Sequence, residues 1–412
     1  MRFLGRALGA LMVIVLCAGV APAYAGDYMP TPGATFNMPR STADKEYRIE
    51  RTIVAAIRHA KKGSLIRISL FSFDRKPVAQ ALIDAHKRGV QVQILLNNHQ
   101  VTPAQRMLHR ALGKNRWNKN FSYECSDGCR SKGENNHIKF FLFSHTGQAR
   151  DVVMTGSVNF TSNAVKNQYN DVYVKNDAPK LYDTFNVLFS QMRKDKPAHP
   201  LWFSRNIGTK YVLQATPYPN FGPTNDPLMT ILNRVHCKGA AKGTGNQYGH
   251  TVVRVNMHAW GDRRGTYIAK KLRNMYAAGC DVKVQYGKGG YAVRRELGVR
   301  TQRGYVPAHT NGYDTDDDGA VDLYTHQKML LVSGNYAKDS STSLVVTGSS
   351  NYQNAGLRGD DEIFQLHSYG VLQQYIRNWK FIWENRSRPI RYVNGRAVPL
   401  SFTYTGPAWE ND

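Results

Sequence analysis

Asn136-His137-Ile138-Lys139, with Gly156-Ser157-Val158-Asn159 downstream, recurs as Thr325-His326-Gln327-Lys328, with Gly348-Ser349-Ser350-Asn351 downstream, in a chain of 412 residues. The surroundings recur as well: Arg67 and Arg254 are 187 positions apart, Gly89 and Gly279 190, His137 and His326 189, and Asn159 and Asn351 192. Four landmarks at a nearly constant offset indicate an internal duplication.

Outward from the first pattern, Ile66-Arg67-Ile68-Ser69-Leu70 alternates apolar and polar residues as a half-buried strand does. It leads past Asp74 into a helical pattern with Val78, Ala81, Leu82 and Ala85 on one face, then through Gly89 to the alternating run Val90 to Ile94. The second copy replays this with Val253 to Met257, Asp262, the stripe Ile268, Leu272 and Met275, Gly279, and Asp281 to Gln285. Strand, helix, strand units of this kind imply parallel pairing. Each copy then ends in a helical stripe read as core: Leu181, Phe185, Leu188 and Met192, then Leu372, Tyr375, Trp379 and Ile382.

The fold class is therefore α/β, with two homologous sandwich domains related by a pseudo-twofold axis and a site at their interface. The expected boundaries are residues 40–196 and 228–390, a Pro-, Asn- and Gly-rich linker at 197–227, and a C-terminal tail at 391–412. Trp202, Phe203, Tyr218 and Phe221 in the linker are read as tethers to the domain surface, the other reading being exposed interfacial anchors. An internal duplication removes the need for a dimer, so a monomer is expected.

Residues 1–25 read as a secretory signal peptide: Arg2 and Arg6 are basic, Leu8 to Val20 is apolar, and Ala23-Tyr24-Ala25 supplies small residues for cleavage. The apolar run is shorter than the roughly 20 residues of a membrane span. The expected location is secreted, extracellular. Loss of this leader lowers the formal net charge from +25 to +23 and leaves Cys125, Cys129, Cys237 and Cys280. Four cysteines in an exported chain suggest two disulfides. Cys125 and Cys129 are close enough to close a small loop, which leaves Cys237 with Cys280, although sequence alone permits three connectivities. One close cysteine pair argues against a zinc site. The charge implies attraction to polyanions, nucleic acid and anionic lipid surfaces alike, without choosing between them.

In each copy the His and Lys are two apart on a strand-like run, so their side chains share a face. The Gly-Ser-x-Asn element follows a second strand, and if the two strands are neighbours the His, Lys and Asn converge. Phosphodiester cleavage without a metal needs a nucleophile, an acid for the leaving oxygen, and fixed charge and donors for the phosphoryl oxygens. His137, His326, Lys139, Lys328, Asn159 and Asn351 supply all of these. A nucleophilic histidine also needs a carboxylate on its other ring nitrogen. Asp171 and Glu362, at matching places after the two asparagines, are the candidates, with Asp361 a substitute for Glu362.

These residues resemble the phospholipase D superfamily, whose members carry paired His-x-Lys motifs completed by a downstream Gly-Ser-x-Asn or Gly-Gly-x-Asn. The likeness spans roughly residues 50–385 and implies two phospholipase D-like domains. It implies His137 as nucleophile and His326 as general acid, with the lysines, the asparagines and also Ser157 and Ser349 around the phosphate. One departure is plain: the family's aspartate five residues after each lysine is replaced by Ser144 and Ser333. That aspartate is read as structural support, and some superfamily members acting on nucleic acid also lack it.

Asp314-Thr315-Asp316-Asp317-Asp318-Gly319, with Asp322 beyond, has the spacing of a calcium loop, but Thr325 stands where an EF-hand places its glutamate. A solvated acidic turn is the other reading. No cofactor is expected for catalysis, and calcium would be structural. The leading expectation is a secreted phospholipase D, a phosphoric diester hydrolase that hydrolyses or transfers the head group of glycerophospholipids at a phospholipid membrane surface. The alternatives are an extracellular nuclease, and a binding protein that holds anionic polymers at a dead site.

Overall fold

The computed structural model describes residues 28–390 and the strand pairs at 392–393 and 396–397; the expected signal peptide and the rest of the expected tail lie outside the described residues. The first half contributes strands β1 (Gly33–Phe36), β2 (Leu65–Leu70), β3 (Gln91–Leu96), β4 (Phe121–Glu124), β5 (Phe140–Thr146) and β6 (Ala149–Gly156). The short β7 (Gln168–Tyr169) and β8 (Asp171–Lys175) follow. The second half contributes β9 (Phe203–Ile207), β10 (Tyr211–Ala215), β11 (Val252–Trp260), β12 (Asp281–Gly289), β13 (Ala308–Thr310) and β14 (Tyr324–Thr325). Then come β15 (Lys328–Tyr336), β16 (Asp339–Gly348), β17 (Glu362–His367) and β18 (Arg388–Pro389).

The first sheet runs β1-β8-β6-β5-β2-β3-β4 and the second β18-β13-β12-β11-β15-β16-β17-β10-β9. The stretch β8-β6-β5-β2-β3-β4 has the same order as β17-β16-β15-β11-β12-β13, so the repeat read from the residues is also a repeat of strand order. As expected, β2 and β3 pair in parallel, and so do β11 and β12. Register places Ser69 opposite Phe140 and Asn256 opposite Met329. Phe71 and His258, two residues further on, therefore occupy matching places.

The sheet edges correct two expected boundaries. The segment read as a linker contains the β9–β10 hairpin, and β10 pairs with β17 from Tyr211 opposite Leu366 to Ala215 opposite Glu362. The alternation in Tyr211-Val212-Leu213-Gln214-Ala215 suits a strand with one buried face, and Gly208 turns the chain at φ +57°. Its aromatic residues face inward: Phe203 is buried, and Tyr218 and Phe221 pack against the second core. The first domain also begins before residue 40, because β1 pairs with β8.

Helices α1 (Ala43–Glu46), α2 (Arg48–His59), α3 (Lys76–Lys87) and α4 (Pro103–Leu112) lie on one face of the first sheet, and the short α5 (Ser162–Lys166) precedes α6 (Pro179–Met192) on the other. In the second half α7 (Pro227–Asn233), α8 (Asp262–Ala277) and α9 (Tyr291–Leu297) cover the outer face, and α11 (Tyr369–Asn385) follows the short α10 (Ala355–Arg358). The stripes Leu181, Phe185, Leu188 and Met192 of α6 and Leu372, Tyr375, Trp379 and Ile382 of α11 are buried. Most of them share one core with Leu142, Met329, Leu331 and Phe364 from both sheets. Each such side chain contributes about 1.5–3 kcal/mol on burial, so this shared core fixes one half against the other. Disulfides join Cys125 to Cys129 and Cys237 to Cys280. Among the described residues no helix is long and apolar enough to cross a membrane.

Candidate active site

The two patterns meet where the halves touch. The backbone N–H of His137 donates to the carbonyl of Asp360 at 2.8 Å, and that of His326 donates to the carbonyl of Tyr169 at 2.9 Å. Each histidine is thus hung on the opposite half. Both are buried, as are Lys139, Lys328, Asn159 and Asn351. A small cleft reaches His137 and Asn351, bordered by Phe71, Glu134 and Asn135 from the first half and by Gln353 and Asp361 from the second.

The asparagines are set by the strand ends beside them. Asn159 Oδ1 accepts from the Ser72 N–H at 3.3 Å and Asn351 Oδ1 from the Ala259 N–H at 3.2 Å. That arrangement turns each amide N–H₂ away from its strand. Lys139 Nζ donates to the His137 carbonyl at 2.8 Å, and Lys328 Nζ lies 3.4 Å from His258 Nδ1.

One ring-nitrogen partner is the substitute candidate Asp361, and the other is an asparagine that was not expected. His137 Nδ1 lies 2.7 Å from Asp361 Oδ1, and His326 Nδ1 lies 2.9 Å from Asn170 Oδ1. The expected Asp171 and Glu362 are each one residue beyond these partners, and neighbouring residues on an extended chain face opposite ways. They point instead into the seam: Asp171 accepts from the Thr347 hydroxyl and the Tyr375 hydroxyl, both at 2.7 Å, and Glu362 from the Thr155 hydroxyl. Ser157 and Ser349, expected around the phosphate, each bond the residues beside the histidine partners. Ser349 Oγ donates to Asp361 at 2.6 Å and accepts the Glu362 N–H at 2.9 Å. Ser157 Oγ bonds Asn170 Oδ1 at 3.0 Å and accepts the Asp171 N–H at 3.1 Å.

Electrostatics separate the carboxyls. Burial raises the Asp361 carboxyl, but the His137 imidazole, the Ser349 hydroxyl and Lys139 outweigh it and hold the group below the usual carboxylate range. Burial dominates at Glu362, pushed up to about 8, and it also raises Asp171. A raised carboxyl adds stability below its unfolded value that is lost as pH rises through the folded one. Glu362→Gln is therefore expected to stabilise the protein relative to the parent progressively between pH 5 and 8, by on the order of 3 kcal/mol. Paired thermal melts across that range check this; a constant difference would contradict it.

Ser144 Oγ accepts the Leu65 N–H at 2.8 Å and Ser333 Oγ the Gly245 N–H at 3.3 Å, so the two departures from the family pattern serve the sheet framework. In the acidic loop, carboxylate oxygens of Asp314, Asp316 and Asp322 come within 4.8 Å of one another. Asp318 stands apart and caps the Ala320 N–H at 2.7 Å.

Residues 53–193 match the family described as cardiolipin synthase, PLD-like domain. Phosphatidylserine synthase from Haemophilus influenzae Rd KW20 superposes with a TM-score of 0.57 at 10% identity over 88% of this chain and 89% of that one. Polyphosphate kinase from Porphyromonas gingivalis superposes with a TM-score of 0.54 at 13% identity over 84% of this chain, which spans about half (49%) of the kinase. Nuc from Salmonella typhimurium, a phospholipase D family member, is 24% identical over 39% of this chain and 94% of its own, with a TM-score of 0.29. No curated protein sequence matches the chain. The first half thus carries a phospholipase D-like domain at residues 53–193, and the second half repeats its strand order. At that level its chemistry is that of a phosphodiesterase, a hydrolase or transferase of phosphoric diesters.

Proposed function

We propose that the protein is an exported phospholipase D that hydrolyses or transfers the head group of glycerophospholipids through a phosphohistidine on His137. The observation that carries the mechanism is the unequal pairing of the histidines. Asp361 orients His137 and favours positive charge on its ring, as a nitrogen that bonds to phosphorus requires. Asn170 orients His326 through a neutral amide, which suits it to hand a proton to the leaving alcohol. His137 Nε2 attacks phosphorus, the bond to the alcohol breaks, and the alcohol oxygen takes a proton from His326. Water or a second alcohol then returns a proton to His326 as it attacks phosphorus and displaces His137. Lys139, Lys328 and the amide N–H₂ groups of Asn159 and Asn351 hold the phosphoryl oxygens. The matched family's description concerns a phospholipid synthase, which supports a lipid substrate.

A second reading, nucleic acid, is favoured by a cationic strip along the β4 edge. Trp117 is 61% exposed, with the Arg116 and Arg193 guanidiniums 5.4 and 5.3 Å from its ring centroid and Lys114 and Lys119 exposed beside it. From there Lys194 and Lys196 follow the segment that binds Ser126 through Asp195 and whose Ala198 N–H donates to the Arg130 carbonyl, next to exposed Lys132 and the cleft. A linear polyanion can follow such a strip.

Alcohol release from phosphatidylcholine vesicles, with His137→Ala beside the parent, tests the first reading. Release by the parent alone supports it. Absence of release, together with His137-dependent cleavage of single-stranded DNA that falls steeply with salt, would replace it with the second.

A further inference from the structure

The two halves of the site are not equivalent beneath their lysines. Register makes Phe71 and His258 counterparts, each the residue just before one whose backbone N–H holds a site asparagine. In the first half Lys139 Nζ stands 5.7 Å over the Phe71 ring, and that ring meets His137 edge-on at 5.3 Å. In the second half the ring is an imidazole, fully buried, whose Nδ1 is within hydrogen-bonding reach of Lys328 Nζ at 3.4 Å. An ammonium has only donors, so His258 Nδ1 offers its lone pair and the ring is neutral, with its proton on Nε2.

The groups around His258 keep it so. Lys328 on β15 and His326, whose ring centroid is 4.7 Å away, are both cationic or able to become so, and a third cation among them would be repelled. Tyr324 on β14 stacks on the imidazole at 5.1 Å and 16°, with Lys288 Nζ from β12 4.6 Å from the Tyr324 ring centroid. The Tyr324 hydroxyl accepts from Gln168 Nε2 at 2.8 Å and from Asn163 Nδ2 at 3.2 Å, both in the first half. The stack is thereby anchored across the seam.

We propose that His258 is a positioning residue that fixes the Lys328 ammonium against the bound phosphate, a task performed in the first half by the His137 carbonyl. His258 then acts through Lys328 and not through the proton held by His326. In the step that releases the alcohol, the charge that Lys328 supplies is needed whatever alcohol departs, whereas the His326 proton is needed only when the leaving oxygen is basic. This inference rests on the phosphodiesterase reading and is independent of whether the substrate is lipid or nucleic acid.

The test compares His258→Phe, which copies the first half, with His258→Asn, which keeps an acceptor near Nδ1. Single-turnover release of the alcohol from an alkyl phosphodiester and from bis(p-nitrophenyl) phosphate is measured for both, with His326→Ala as the control and thermal melts for all. The expected result is a loss of about 10- to 100-fold for His258→Phe, the effect of losing one hydrogen bond to a charged group. The loss should be equal on the two substrates, with most activity retained in His258→Asn. The control should lose far less on the p-nitrophenyl ester, whose phenolate leaves without a proton. A loss confined to the alkyl ester would overturn the proposal in favour of a role through His326, and parental activity in His258→Phe would overturn it outright. If the parent turned over neither substrate, the phosphodiesterase reading would fail first, and the two failures would be told apart.

Discussion

His137→Ala is expected to lower turnover by about 10⁵-fold or more, the scale on which removal of a nucleophile from an interdependent catalytic unit is felt. No second group in the cleft can take over. The other imidazole, His326, is held at Nδ1 by a neutral amide where His137 has the carboxylate that steadies a positively charged phosphorylated ring. The measurement is retention of labelled phosphoryl group on protein quenched during turnover. The parent should carry label on His137, His137→Ala none, and His326→Ala on the activated ester should accumulate it. Label retained in His137→Ala would reverse the two roles.

Asp361→Asn is the second large effect, expected at about 10³- to 10⁴-fold, comparable to replacing the orienting aspartate of a serine protease triad. The geometry explains the size: Asp361 is buried, bonded to His137 Nδ1 at 2.7 Å and steadied by Ser349 at 2.6 Å, so an amide there offers no charge to balance the ring and can present its donor end. At the matching place Asn170 already is an amide. Asn170→Ala should cost only about 10-fold, the value of one ordinary hydrogen bond. Asn170→Asp should act differently, because a carboxylate favours the imidazolium of His326. The alkaline limb of the pH–rate profile then moves to higher pH while the maximum rate falls. Equal losses from Asp361→Asn and Asn170→Ala would contradict the division of labour.

Much of this was legible in the residues. Alternation and helical spacing located β2, α3 and β3 and their counterparts, and the constant offset revealed the duplication that strand order repeats. The His, Lys and Asn sets were readable because each is tied to a local pattern that occurs twice. What failed did so by a single residue. Asp361 and Glu362 are adjacent carboxylates, and only the direction of the chain entering β17 decides which of them faces His137. The parallel pair Asn170-Asp171 held the clue, since aligning it with Asp361-Glu362 sets an amide against a carboxylate. His258 gave no local signal at all; its meaning comes from occupying the place of a phenylalanine in the other copy. The β9–β10 hairpin was hidden by the prolines, glycines and asparagines around it, which read as a connection.

The exchange of partners across the seam constrains how this chain can change. Asp361 serves a histidine in the other copy, Asn170 does the same in return, and Thr155 and Thr347 bind Glu362 and Asp171 across the same boundary. A substitution in either half is therefore felt chemically in its twin. At these contacts a change in one copy calls for an answer in the other, and a chain cut between them would give two pieces, each without the partner that orients its histidine.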